Sequence, residues 1–382
     1  MGLLVTVVIW ALFVAMALWV PFGRGALGFV VFILTMTCNE IPLILLVVFV
    51  ASVAATLTDV PPEDGPLTAV ALGLAVLVVL GLVWLQVRAR SVRPAFEAAL
   101  TTGLGPAWRT RIPSGSARPL RRAVLWMSGI LLPFQRHRRT VERVRDVPYA
   151  AGGRAHLLDI YRRKDRRTGQ QPVVIHLHSG GFVSGGKSRE SVALLNQLAD
   201  HGWFGVSANY TLRSAGAFPE SLIDTKRVIA WVRAHSREHG TDPVRIYLVG
   251  ASAGGHLAIS AALTAQTPRF QPGFEDADTS VAGAVALYGY LGARSSDPAS
   301  APAQLVRPDA PPMLIVQGST DTALPSDEAR TVADSLRSVS ESPVVYVELP
   351  DTQHSFDFFA SVRSRLAADA IESFLDWTRS QG

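Results

Sequence analysis

The sequence predicts an α/β chain: a doubly wound, mostly parallel sheet of eight strands, preceded by an N-terminal block of membrane-length apolar helices. Three observations carry this expectation. From Val141 to the C-terminus, eight short apolar runs alternate for the most part with helical patterns. One of these runs, Val244–Val249, passes through Gly250-Ala251-Ser252-Ala253-Gly254 into an Ala/Leu/Ile helix pattern, which gives strand, sharp turn and helix with a serine at the apex. The apolar excess that makes the mean hydropathy positive is concentrated at the N-terminus.

At 382 residues the chain exceeds one ordinary domain and can bury a full α/β core. Its single cysteine, Cys38, lies in an apolar stretch and offers no disulfide, zinc site or thiol nucleophile. The net charge of +5 is informative only region by region. There is no internal repeat.

Residues 1–90 read as a transmembrane helical region of about three spans. Leu3–Val20 is uncharged and bilayer-length, and it lacks the basic start and cleavage site of a signal peptide. Ala26–Leu57 is too long for one straight span and is interrupted at Cys38-Asn39-Glu40-Ile41-Pro42. It is either one helix kinked at Pro42 or a short embedded turn followed by a further span. Leu67–Val87 is the clearest span. Glu40 is a carboxylate in apolar surroundings and so a functional candidate, although an interface turn or pairing with a neighbouring helix is the favoured explanation. Arg88, Arg90 and Arg93 follow the last span, whereas Asp59, Glu63 and Asp64 precede it. With three spans, the basic side, and everything after it, is cytoplasmic. The expected location is a multi-pass protein of the cell membrane.

Residues 91–140 form a basic neck in which arginines flank two amphipathic pieces, Phe96–Leu104 and Ala123–Phe134. Basic clusters beside membrane spans point to anionic lipid headgroups. Nucleic acid is the competing partner and is not expected, because the neck adjoins spans and carries an apolar face at Trp126–Phe134. Packing of Ala123–Phe134 as a cap over the cleft is a third possibility.

Residues 141–382 form the catalytic unit. Strands are expected at Val141–Val147, His156–Arg162, Pro172–His178, Trp203–Asn209, Arg245–Val249, Val281–Leu287, Pro312–Gln317 and Val344–Leu349. Helices are expected at Ser191–His201, Pro219–His239, Ala253–Leu263, Ser326–Val339 and Phe358–Arg379.

A serine hydroxyl needs a base, and the base an orienting carboxylate. The serine turn supplies Ser252. The base is expected at His354, just after the last strand, and the acid at Asp321, after the preceding one. Asp327, Asp351 and Asp357 compete for the acid role. The consecutive glycines of His178-Ser179-Gly180-Gly181 let backbone amides converge, so Gly180, Gly181 and Ala253 are the expected oxyanion donors. His178 is expected to support that loop. His176, His156 and His256 read as structural, and His137, His201, His235 and His239 as solvated. A phosphate-cradling loop is excluded, because Gly185-Gly186-Lys187-Ser188 lacks the required upstream glycine and strand. No convergent metal-ligand set is visible.

These motifs, together with Asn209-Tyr210-Thr211-Leu212, Phe218-Pro219, Asp224 and His354-Ser355-Phe356, resemble those of hormone-sensitive-lipase-type carboxylesterases. The likeness is to bacterial members with membrane helices ahead of the hydrolase unit. It implies an α/β-hydrolase fold, hydrolysis of ester or lipid substrates, a Ser252–Asp321–His354 triad, oxyanion amides from Gly180, Gly181 and Ala253, and no cofactor. This chain departs from the family at Ser179, where the family has glycine, and at Ala251, where it has an acidic residue or glycine. It also has Thr211 in place of an arginine, which removes one expected ion-pair partner of Asp224. Arylformamidase-like or acyltransferase activity on the same fold, or an inactive membrane interaction module, are the alternatives. Oligomeric state is left unassigned.

Overall fold

The computed structural model describes residues 2–20, 25–59, 65–112, 133–134, 137–165 and 170–381. One sheet organises the second part of the chain. Its strands are β1 (Val141–Pro148), β2 (Leu157–Arg163), β3 (Gln171–Leu177), β4 (Phe204–Ala208), β5 (Thr241–Ala251), β6 (Gly283–Leu287), β7 (Met313–Gly318) and β8 (Val344–Leu349). Their order in space is β1-β2-β4-β3-β5-β6-β7-β8. β1 and β2 form an antiparallel start, β2 pairs antiparallel with β4, and all later pairings are parallel. This is the α/β-hydrolase-like, mostly parallel sheet expected from the sequence.

Strand periodicity divides the core into two layers. Val173, Ile175 and Leu177 of β3 and Ile246 and Leu248 of β5 face one layer. Val174, Tyr247, Val249 and Ala251 face the other. Parallel strands covered on both faces need such nearly continuous apolar runs.

Counting helices longer than two turns, the N-terminal part contains α1 (Gly2–Trp19), α2 (Gly25–Glu40), α3 (Pro42–Asp59), α4 (Pro66–Arg88) and α5 (Val92–Leu104). Gly2–Trp19 and the continuous helical stretch Pro66–Leu104 are each long and apolar enough to cross a membrane. Leu27–Glu40 and Pro42–Thr58 form a third candidate as a pair, bent by 97° at their break. Pro42 opens α3, where its missing N–H costs no hydrogen bond. The interruption seen in the sequence is therefore a sharp corner. α1, α3 and α4 share one apolar cluster that includes Val7, Val14, Phe49, Val78 and Leu82. Thr6 and Thr56 meet at 3.2 Å at one end of this bundle. At the other end Arg88 Nη2 donates to Ala17 O at 2.7 Å and to Asn39 Oδ1 at 2.8 Å.

The helices of the sheet unit are α6 (Val192–Asp200), α7 (Glu220–Ala234), α8 (Ala253–Leu263), α9 (Ser326–Val339) and α10 (Val362–Arg379). The expected helix Pro219–His239 is broken at His235. The closing helix starts at Val362, not Phe358, because Ser361 caps it by accepting from Ser364 N.

The first part of the basic neck packs on the sheet. The apolar stripe of α5, Val92, Phe96, Leu100 and Leu104, is buried with Trp108 and Ile112 in the second core layer of the sheet, not turned to lipid. Gly103 permits the close approach, since a Cβ there would lie 2.7 Å from Val345 Cγ2 of β8. Arg109 pairs with Glu97 and lies over the Trp108 ring, and Arg138 pairs with Asp200 at 2.7 Å. The Ala123–Phe134 piece falls almost wholly outside the described residues.

Candidate active site

Ser252 sits between β5 and α8 at φ 53° and ψ −113°, a left-handed conformation that a non-glycine residue adopts only under constraint. The constraint comes from packing. A Cβ at Gly254 would lie 2.0 Å from Leu177 O, and one at Gly250 would lie 1.9 Å from Gly254 O. Only glycine at both positions lets the start of α8 press against the ends of β3 and β5. Ser252 N donates to Leu287 O at 2.9 Å, which ties the turn to β6.

His354 Nε2 lies 3.0 Å from Ser252 Oγ, and His354 Nδ1 lies 2.8 Å from Asp321 Oδ2. With Nδ1–H donating to the carboxylate, Nε2 is left to accept from the serine. Asp321 is itself fixed: Oδ1 accepts from Ala323 N at 2.9 Å and Leu324 N at 2.7 Å, and Oδ2 accepts from Gln317 Nε2 at 3.0 Å. The structure thus brings together the three side chains singled out from sequence.

The competing acids stand elsewhere. Asp327 is exposed, and Asp351 lies 3.6 Å from Arg88. Asp357 is buried and accepts from Ser191 Oγ and Tyr288 Oη. Burial pushes its carboxyl up to about 6, with the nearby charge of Glu190 acting in the same direction.

Gly180, Gly181 and Ala253 line the same cavity as Ser252 and His354. Gly180 has φ +129°, and a Cβ there would lie 1.9 Å from Ser184 O. His178 stacks on Tyr210 with ring centroids 4.2 Å apart, and Tyr210 Oη donates to His178 O at 2.7 Å. Ser179 N donates to the buried carboxylate of Glu190, and its hydroxyl meets Arg189. The serine that replaces a glycine is therefore directed toward a charged pair.

Asp224 keeps an ion pair, with Arg227, without an arginine at 211. Arg227 Nη1 lies 3.0 Å and His156 Nε2 3.1 Å from Asp224 Oδ1, while Thr211 donates to Oδ2 through its N–H at 2.9 Å and its hydroxyl at 2.6 Å. Burial lowers His256 to about 3 and His176 to about 4, so both are neutral packing groups. His201 is partly exposed and also paired: its Nδ1 meets Glu372 at 2.5 Å, and that bond raises its pKa. His235 stacks on Trp231, and His239 on Phe204. Among the described residues, no group of three or more His, Cys, Asp or Glu side chains is placed to hold a metal ion.

Two features had not been expected. Gln353, buried next to His354, accepts from His354 N at 2.9 Å and Thr322 N at 2.8 Å, and it donates to Thr322 Oγ1 at 3.1 Å and to Thr35 Oγ1 at 3.0 Å. One amide thus joins both loops of the site to α2. The second feature is the cavity itself, about 910 Å³, walled on one side by Phe29, Phe32, Ile33 and Met36 of α2. Neither left a local signal in the sequence.

Comparison with known proteins gives a consistent result. A family model described as BD-FAE matches residues 158–291. The probable carboxylic ester hydrolase LipM of Mycobacterium tuberculosis is 38% identical over 338 residues, covering 81% of this chain and 78% of that protein. Esterase LipQ of the same organism is 35% identical over 327 residues, covering 77% of this chain and 76% of its own. The LipM match is longer than residues 141–382 alone could supply, so it extends into the N-terminal part. Among solved structures, a truncated carbohydrate esterase from gut microbiota superposes with a TM-score of 0.52 at 18% identity, over 61% of this chain and 96% of that one, which is a likeness of fold. With the sheet, the serine turn and these matches together, the chain belongs to the family of α/β-hydrolase carboxylic ester hydrolases represented by LipM and LipQ.

Proposed function

We propose that this chain is a membrane-anchored serine carboxylesterase with Ser252, His354 and Asp321 as its triad. The single observation that carries the reading is the unbroken hydrogen-bonded line from Ser252 Oγ through the imidazole to Asp321 at the floor of an apolar cavity. As the Ser252 Oγ–carbonyl bond forms, His354 Nε2 takes the hydroxyl proton, and the oxyanion accepts from the amides of Gly180, Gly181 and Ala253. Collapse breaks the bond to the alcohol, which leaves with the proton from Nε2. Water, deprotonated by the same imidazole, then attacks the acyl-enzyme and releases the acid. Asp321 holds the tautomer and balances the imidazolium charge. His178 supports the loop that carries two of the amides.

Residues 1–90 anchor the enzyme as a multi-pass protein of the cell membrane, with α1, α3 and α4 as three spans. The charge bias of Arg88, Arg90 and Arg93 against Asp59, Glu63 and Asp64 favours a cytoplasmic hydrolase unit, residues 141–382. Arg93 and Arg111, both exposed, are available to anionic headgroups.

Ser252→Ala is the test. The full-length protein in detergent should hydrolyse p-nitrophenyl butyrate and be labelled by a fluorophosphonate, and the variant should do neither. Unchanged turnover in the variant would overturn the assignment.

A further inference from the structure

The wall formed by α2 has two faces. Inward, Phe32 and Met36 are buried against the cavity, and the Phe32 ring meets the His354 imidazole edge-on, with centroids 5.5 Å apart at 81°. Outward, Leu27 and Val30 are exposed and do not line the cavity, while Phe29 and Ile33 line it at an exposed rim, and the apolar surface continues across the cavity mouth through Val183 and Phe358. From Gly25 to Asn39 the helix carries no charged residue. Apart from Thr37 of α2 and Arg189, the polar lining residues come from the segments around Ser252, His354 and the Gly180 loop.

The helix is fixed in this position. Thr35 receives the bond from Gln353, Asn39 that from Arg88, and Glu40 is held by Arg363 and by Ser361 Oγ at 2.5 Å. α2 therefore lies across the mouth at 97° to α3, beside the apolar bundle of α1, α3 and α4. An apolar rim of this kind is costly in water. Next to membrane-length helices its natural surroundings are acyl chains, and a cavity of about 910 Å³ is at the large end of small-molecule sites.

We infer that the cavity opens onto the bilayer, that it takes long-chain acyl esters of lipids already resident there, and that α2 is the wall that selects for the chain. This rests on the esterase reading above and adds to it the substrate class and the route of entry. The ester carbonyl reaches Ser252 while the acyl chain lies along Phe29, Phe32, Ile33 and Met36, so the chain never crosses water. Met36, in the buried part of that wall, sets how much chain fits.

The test uses the full-length protein in phosphatidylcholine nanodiscs, with p-nitrophenyl palmitate carried in the bilayer and p-nitrophenyl butyrate in the aqueous phase. Met36→Trp fills the cavity and should lower the palmitate-to-butyrate ratio of kcat/KM at least tenfold. Val30→Asp puts a charge on the outward face without lining the cavity. It should cut palmitate turnover at least tenfold and leave butyrate turnover within about twofold, the difference reflecting the penalty for a carboxylate facing lipid. Ratios equal to wild type in both variants, with butyrate still hydrolysed, would show a cavity that serves soluble esters and would overturn this inference alone. Loss of butyrate hydrolysis and of fluorophosphonate labelling in the unmodified protein would instead sink the esterase reading. If Met36→Trp does not label, Val30→Asp decides.

Discussion

Glu40, at the end of α2, and Arg363, in the first turn of α10, form an ion pair in which neither side chain reaches solvent. Ser361, the cap of the same helix, donates to the same carboxylate. Removing one partner strands a buried charge, which costs about 3–5 kcal/mol. Glu40→Gln and Arg363→Met should each lower stability on that scale, whereas the double variant Glu40→Gln/Arg363→Met should lose less than the sum. Denaturant titration in micelles, followed by tryptophan fluorescence, reads all three. Additive losses would mean that the two residues are not coupled.

Asp321→Asn keeps the shape of the site and removes the charge that fixes the His354 tautomer. Turnover of p-nitrophenyl butyrate should fall by up to about 10⁴-fold, mostly in kcat, with the protein still folded. A loss under tenfold would return Asp357 to contention as the acid.

Gly180 and Gly181 should respond differently to alanine. At 180 the methyl would collide with Ser184 O, so the loop must move; at 181 nothing lies within 4 Å of the new carbon. Gly180→Ala should lower kcat by about 10²–10³-fold, the value of one oxyanion donor. Gly181→Ala should cost less, limited to the strain of a positive φ. Steady-state kinetics on butyrate separates the two.

Asp357 gives a dependence on pH. Its folded pKa, about 6, lies above the ordinary 3.8, so the native state holds the proton more tightly than the unfolded chain. The stability this adds is complete below about pH 4 and is lost as pH rises to about 6, by roughly 3 kcal/mol. Asp357→Asn should flatten that decline, since Ser191 can rotate its hydroxyl to accept from the new amide. Unfolding midpoints measured from pH 4 to pH 7 will show it, and parallel slopes in the two proteins would refute the assignment.

Phe96 tests the packing of α5. In a solvated or lipid-facing neck, Phe96→Ala would change little, but as a buried core residue it should cost about 3–5 kcal/mol.

Periodicity and turn chemistry made the sheet legible, because a parallel strand covered on both sides must be written as an apolar run. The serine turn was legible because its glycines answer to backbone oxygens within 2 Å of where a side chain would be. His354 and Asp321 followed from strand order. What escaped were contacts between distant segments. The stripe Val92-Phe96-Leu100-Leu104 is apolar whether it meets lipid or Val345, and only the fold decides between them. Arg227 substitutes for the arginine absent at 211 from one turn further along Asp224's own helix, which no motif at 211 could reveal. The bond from Gln353 to Thr35 spans more than three hundred residues and has no local signature. Glu40 was conspicuous as a charge among apolar neighbours, but its partner lay in the last helix.

The bond from Gln353 to Thr35 bears on how such an enzyme is handled at the bench. Clipping away the leading helices to gain solubility would remove one side of the reaction chamber and one of the four bonds made by the amide that braces His354. A trimmed protein could keep its serine, histidine and aspartate and still report the appetite of a different enzyme.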